Sequence, residues 1–206
     1  TESDVIANLS PFILTTTFAS NNGQAGNMFD LMAVNDITIN SFVVNMDTGV
    51  TADVAIYFKT GTWVGSDTTP GDWTLMATAP AVTSAGTNQP TALNLSMGID
   101  VLAGNTVAFY VTLVNNEGIN YVNGSNVGNV WASDANLVVY EGAGKVYPFS
   151  TTFQPRNFSG NVVYKKTDQI GLPDNCGNVV SASLSQTAFP CEDIGDVIVT
   201  VTADDG

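Results

Sequence analysis

Two cysteines, nineteen acidic side chains and no histidine bound the chemistry this chain can attempt. Without His there is no Ser-His-Asp triad, no Cys-His pair and almost no route to a catalytic zinc site. No P-loop, G-x-S-x-G or H-E-x-x-H pattern is present. Carboxylates are numerous enough for a glycoside-hydrolysing pair, yet no spacing selects two of them. The acids concentrate near the C-terminal end: Asp168, Asp174, Asp193 and Asp196, with Glu192, Asp204 and Asp205, in a segment without Lys or Arg. Such carboxylates repel one another. A hard cation such as Ca²⁺, which takes about six to eight oxygens, would relieve the repulsion, and the first four acids are the candidate ligands. No EF-hand-type loop accompanies them, so a solvated acidic surface is the competing reading. Cys176 and Cys191 stand 14 residues apart, which is neither a redox nor a zinc spacing. A local disulfide is the expectation, closing a loop of about 16 residues and contributing roughly 3 kcal/mol. Two free buried thiols are the alternative.

Binding is the chemistry the remaining side chains suit. Residues Asn115 to Asn136 form the longest stretch rich in Gly and Asn, and it carries Asn120, Tyr121, Trp131 and Asp134. Long loops on a rigid scaffold concentrate binding residues. Flat aromatic faces beside amides and a carboxylate suit sugar rings, whose C–H groups cover the ring and whose hydroxyls bond the amides. Trp63 is a further candidate, paired across Gly65–Asp72 with Trp73, although Leu75 and Ala77 share the face of Trp73 and place it in a core. For Tyr121 and Trp131, too, core or edge packing is the competing reading.

The elements that must position these residues are strands. Thr51–Lys59 alternates, with Ala52, Val54, Ile56 and Phe58 on one face, and Asn105–Leu113 repeats this with Val107, Phe109, Val111 and Leu113. Period-two alternation is what a half-buried strand requires. Similar runs cover Phe12–Phe18, Asn27–Val34, Asp36–Met46, Trp73–Ala79, Thr91–Met97, Asn136–Tyr140 and Phe158–Tyr164. Turn-forming pieces such as Asn21-Asn22-Gly23, Asp47-Thr48-Gly49 and Thr69-Pro70-Gly71-Asp72 separate them. No stretch has a helical period. The pattern predicts an all-β chain whose first part is a jelly-roll-like β-sandwich.

Composition breaks near residue 166. Residues 1–166 hold all 5 bases and 12 acids, whereas residues 167–206 hold 7 acids, no base and a single aromatic, Phe189. Two domains are expected: a head over 1–166, and over 167–206 the incomplete first part of an immunoglobulin-like sandwich repeat. The formal net charge of −14 argues against nucleic acid and anionic membrane surfaces as partners. No apolar run approaches the roughly 20 residues of a membrane helix, so no membrane insertion is expected. A weakly charged Thr/Asn/Gly-rich chain that opens at Thr1 fits an exported protein whose signal peptide is already removed.

Asp174-Asn175-Cys176-Gly177, then Ala182-Ser183-Leu184, Phe189-Pro190-Cys191, Ile194-Gly195 and Val197-Ile198-Val199-Thr200-Val201-Thr202 form a familiar string. It resembles the HYR-like, immunoglobulin-like repeats of the very large SprB-type surface adhesins of gliding Bacteroidota. In those repeats a D-x-C-G turn leads to a strand, then F-x-C, then an alternating Thr/Val strand. Residues 15–164 also look like a β-domain of multidomain secreted proteins from the same bacteria. Gly23-Gln24-Ala25-Gly26-Asn27-Met28-Phe29-Asp30, Ala132-Ser133-Asp134-Ala135-Asn136-Leu137 and Glu141-Gly142-Ala143-Gly144-Lys145 carry that likeness. The resemblance implies type IX export, display on the cell surface, and further repeats of the same polypeptide. The expected function is a non-enzymatic adhesin that contacts glycans or a solid surface during attachment or gliding, with no required cofactor beyond the candidate Ca²⁺. The alternatives are a carbohydrate-binding accessory domain of a secreted polysaccharide-degrading enzyme and a structural cap of a surface filament.

Overall fold

The computed structural model describes residues 11–167 and the strand segments Ser181–Leu184 and Val201–Asp204. The chain divides into two compact units, with the larger spanning Pro11–Lys165. In chain order its strands are β1 Phe12–Thr15, β2 Asn22–Gln24, β3 Gly26–Ala33, β4 Ile37–Asn45, β5 Thr51–Thr60, β6 Thr74–Thr83, β7 Pro90–Ala92, β8 Ile99–Val101, β9 Thr106–Leu113, β10 Ile119–Asn123, β11 Val130–Ser133, β12 Leu137–Tyr140, β13 Gly142–Lys145, β14 Thr152–Phe158 and β15 Gly160–Lys166. One 3-10 turn, Pro70–Asp72, precedes β6. In the smaller unit Ser181–Leu184 (β16) pairs antiparallel with Val201–Asp204 (β17).

The larger unit is an all-β sandwich of antiparallel sheets, as the alternating runs require. One sheet is ordered β1-β15-β4-β7, with β8 also on β4. The other is ordered β2-β10-β14-β13-β3-β9-β5-β6, with β12 on β3 and β11 on β12. Between them lie the inward positions read from the sequence: Val54 and Ile56 of β5, and Val107, Phe109, Val111 and Leu113 of β9, with Ala52 and Phe58 packed at the margin. An aromatic centre ties the two sheets together. Phe29 of β3 stacks on Phe158 of β14 at 4.6 Å, and Phe42 of β4 meets Phe109 edge-on at 5.0 Å. Offset and edge-on pairs of this kind add about 0.5–1.5 kcal/mol each beyond their buried area.

Three features differ from the sequence expectation. First, β9 is buried on both faces. Ala108 and Tyr110 turn away from the sandwich core into a second apolar cluster with Met28, Trp63, Trp73, Ala143 and Phe149. The loops after β5 and after β13 fold back over the outer face of the large sheet and supply Trp63, Trp73 and Phe149. Second, Asn115–Asn136 is not one long irregular loop, because it contains β10 and β11. Third, the Gly-rich run Gly142–Lys145 is a strand, pairing with β3 on one side and β14 on the other. Glycine is required there by close approach. A Cβ at Gly142 would overlap the Met28 carbonyl, and one at Gly144 would run into the Tyr121 ring and hydroxyl.

Candidate functional site

The side chains singled out from the sequence brace the fold. Tyr121 is 1% exposed, packs in the sandwich core, and its phenol is pushed up chiefly by burial. Asn120 is buried and donates from Nδ2 to Asp47 Oδ1 at 2.9 Å. Trp131 packs against the same core and donates its indole N–H to the Phe158 carbonyl at 2.9 Å. Asp134 closes the turn before β12: Oδ1 accepts from the N–H groups of Asn136 at 2.8 Å and Leu137 at 3.0 Å. Its Oδ2 accepts from the Tyr164 hydroxyl at 2.7 Å. Burial, and then this bond to Asp134, push the Tyr164 phenol up to about 12. Trp63, 2% exposed, belongs to the outer cluster. These aromatics therefore divide between two cores and do not converge on one surface, and neither Tyr121 nor Trp63 offers a ring face to a ligand. Local alternation cannot show this, since the loops that cover the second sheet face come from distant sequence. The candidate Ca²⁺ ligands Asp168, Asp174, Asp193 and Asp196, and the pair Cys176 and Cys191, lie outside the described residues. Among the described residues no group of three or more His, Cys, Asp or Glu side chains is placed to hold a metal.

Most described carboxylates are committed to holding loops in place. Asp30, on the outer face of β3, accepts from Thr62 Oγ1 at 2.6 Å and the Trp63 N–H at 2.9 Å, which pins the loop after β5. Burial raises its pKa, and these two bonds and Lys59 counter only part of that. Asp36 and Asp53 accept from the N–H groups of Ala103 and Ala81, and Asp100 from the Thr38 hydroxyl. Asp72 accepts from Ser66, whose carbonyl takes the Trp73 indole N–H at 2.9 Å. Asp67 accepts from Thr152, which in turn takes a bond from the Lys145 ammonium. Lys145 is fully buried and also donates to the Ser150 carbonyl; burial pulls its pKa down, and Asp67 partly opposes the shift. Glu141, at the break between β12 and β13, accepts from the Ser125 and Asn126 N–H groups at 2.6 and 2.8 Å and from Ser125 Oγ at 3.0 Å. Burial alone would raise its pKa, but these bonds and one from Asn157 outweigh it and hold the carboxyl below its ordinary range.

Glu117 is different. Its carboxylate has no hydrogen-bond partner among the described residues, and the side chain is exposed. It sits in the turn between β9 and β10 (residues 114–118). Asn115 there adopts a left-handed backbone, φ +52°, which Asn tolerates better than most residues. The Glu117 N–H is fixed by Asn116 Oδ1 at 2.8 Å, and Gly118 donates to the Gln24 carbonyl at 3.2 Å. This turn forms one wall of a cleft of about 300 Å³. Val146, Tyr147 and Pro148, from the loop after β13, form the other wall, and buried Ala25 lies between β2 and β3. The Val146 N–H bonds to the Thr151 carbonyl and the Ser150 N–H to the Val146 carbonyl, which closes that loop on itself. Tyr147 is half-buried, and its phenol adjoins that of Tyr57, whose pKa is raised by burial and then by this neighbour. Two exposed amides, one uncommitted carboxylate, a tyrosine and a proline thus face a common space. The sequence reading marked the start of this turn but missed Tyr147 and Pro148, which lie about 30 residues further on. The Tyr147-Pro148-Phe149 run was the only signal available, and nothing in it pointed to the turn at Asn115.

No family model matches the chain, and no curated protein matches it.

Proposed function

We propose that this chain is a non-enzymatic module of an exported surface adhesin, and that the cleft between Asn115–Glu117 and Val146–Pro148 is its contact for glycans. The observation that carries the reading is the cleft itself. It joins a tyrosine, a proline and two exposed amides, of which Asn116 spends its oxygen on the Glu117 N–H and keeps its NH2 group, on loops anchored to a rigid sheet, the combination that takes a sugar's C–H face and its hydroxyls. The commitment of the other described carboxylates to loop anchoring supports binding over turnover, because a hydrolytic pair needs two acids free to exchange protons. Export and cell-surface display enter this reading through the resemblance of residues 168–206 to adhesin repeats. The test is glycan-array binding of the whole chain, followed by Tyr147→Ala and Asn116→Ala. Either variant should weaken binding tenfold or more, with far-UV circular dichroism showing the chain still folded. Absence of binding to any glycan, or full binding by both variants, would remove the cleft from the account.

A further inference from the structure

We infer that the cleft sorts sugars by charge, with Glu117 as the specificity-determining residue: sugars with a free amino group bind best, uncharged sugars next, and uronates or sulfated sugars worst. This rests on the glycan reading above and names the ligand class of that site. Glu117 is the one carboxylate with a described side chain that the fold does not use as an acceptor. Its backbone N–H is held by Asn116, and its exposed side chain lines the cleft.

The residues lining the cleft include no Lys or Arg. Lys59 is spent on the carbonyls of Thr60 and Thr62, Lys145 is buried on Ser150 and Thr152, and Arg156 donates to the Pro155 carbonyl and adjoins the Tyr121 phenol. A sugar carboxylate or sulfate entering the cleft would meet a like charge with no compensating donor other than neutral amides. A protonated amine at the same place would gain a partner. The chain's net charge of −14 biases approach in the same direction.

The size of the effect follows from Coulomb's law. Two unit charges about 4 Å apart in water-like surroundings change affinity roughly fivefold. Each step from amino to neutral to acidic sugar should therefore alter Kd about three- to fivefold at low salt. The steps should shrink at about 1 M salt, where the screening length falls to roughly 3 Å.

The experiment is the array with the whole chain, extended to titrations with oligosaccharides of one linkage in three forms: β-1,4-linked glucosamine, glucose and glucuronate. The expected result is the stated order at low salt, its collapse in Glu117→Gln, and its reversal in Glu117→Lys, all with unchanged melting temperatures. Preference for acidic glycans, or an order unaffected by Glu117→Gln, would overturn the charge rule while leaving the cleft as a sugar site. Binding to no sugar in any form would overturn both.

Discussion

Replacing Glu141 tests whether one buried carboxylate holds the loop between β10 and β11. The carboxylate is 6% exposed at the residue level and accepts three bonds from Ser125 and Asn126, at 2.6 to 3.0 Å. Bonds to a charged acceptor cost roughly 1.5–3 kcal/mol each when removed, if the donor is left dry. Ser125 and Asn126 are themselves exposed, so water replaces much of what is lost. Glu141→Ala should therefore cost about 2–3 kcal/mol in total, well below the sum of its bonds. Glu141→Gln should cost about 1 kcal/mol, because an amide oxygen at the Oε2 position still accepts from both backbone N–H groups. For a unit of this size the Ala variant should melt about 5–10 °C lower, followed by far-UV circular dichroism of the whole chain. The pH dependence is the sharper test. The folded pKa lies below the ordinary 4.5, so the unfolded chain binds the proton more readily. The stabilisation is complete above that value and is lost as pH falls through the folded pKa. The gap between wild type and Glu141→Gln should narrow as pH falls below the ordinary 4.5 and through the lowered folded value. An Ala variant within about 0.5 kcal/mol of wild type, or a gap that does not change with pH, would refute the anchoring role.

Gly144→Ala should destabilise the larger unit by about 1–3 kcal/mol in urea titrations, since its methyl group must displace the buried Tyr121 ring; a neutral outcome would contradict the close approach of β13 to β10. Trp131→Ala should cost roughly 2–3 kcal/mol and leave glycan binding intact, separating a structural brace from a contact residue, as read by melting and array together. In alkaline titration the phenols of Tyr57, Tyr110, Tyr121 and Tyr164 are all raised chiefly by burial. Their contribution is present below about pH 10 and lost as pH rises through the folded values, so phenolate absorbance should appear together with unfolding. Lys145, with its lowered pKa, works the other way and adds stability as pH rises toward 10.5, but one amine opposes four phenols. Gradual phenolate formation on a folded chain would contradict the burial of these rings.

Alternation alone determined the strands and their inward faces where one face met the core and the other met water or loop. Val54, Ile56, Val107, Phe109, Val111 and Leu113 were legible for that reason, as was the all-β class. The same rule assigned Tyr110 and Tyr57 to an outer face but could not say that the face would be covered. Trp63 reaches it from a loop pinned by Asp30, 33 residues away in sequence, and Phe149 from a loop whose Thr152 is bonded to Asp67, 85 residues away. Strand β13 was hidden because glycine carries no strand propensity; only the Met28 carbonyl and the Tyr121 ring pressing on it explain why nothing larger fits. The cleft was hidden for a related reason. Its walls are two turns that share no periodic signal, brought together because β13 pairs with β3, and β3 with the strand that leads into the Asn115 turn. Period and propensity act over a few neighbouring residues, so they fix elements and faces, whereas a second covered face and a two-walled cleft arise from pairings that only the closed sandwich makes.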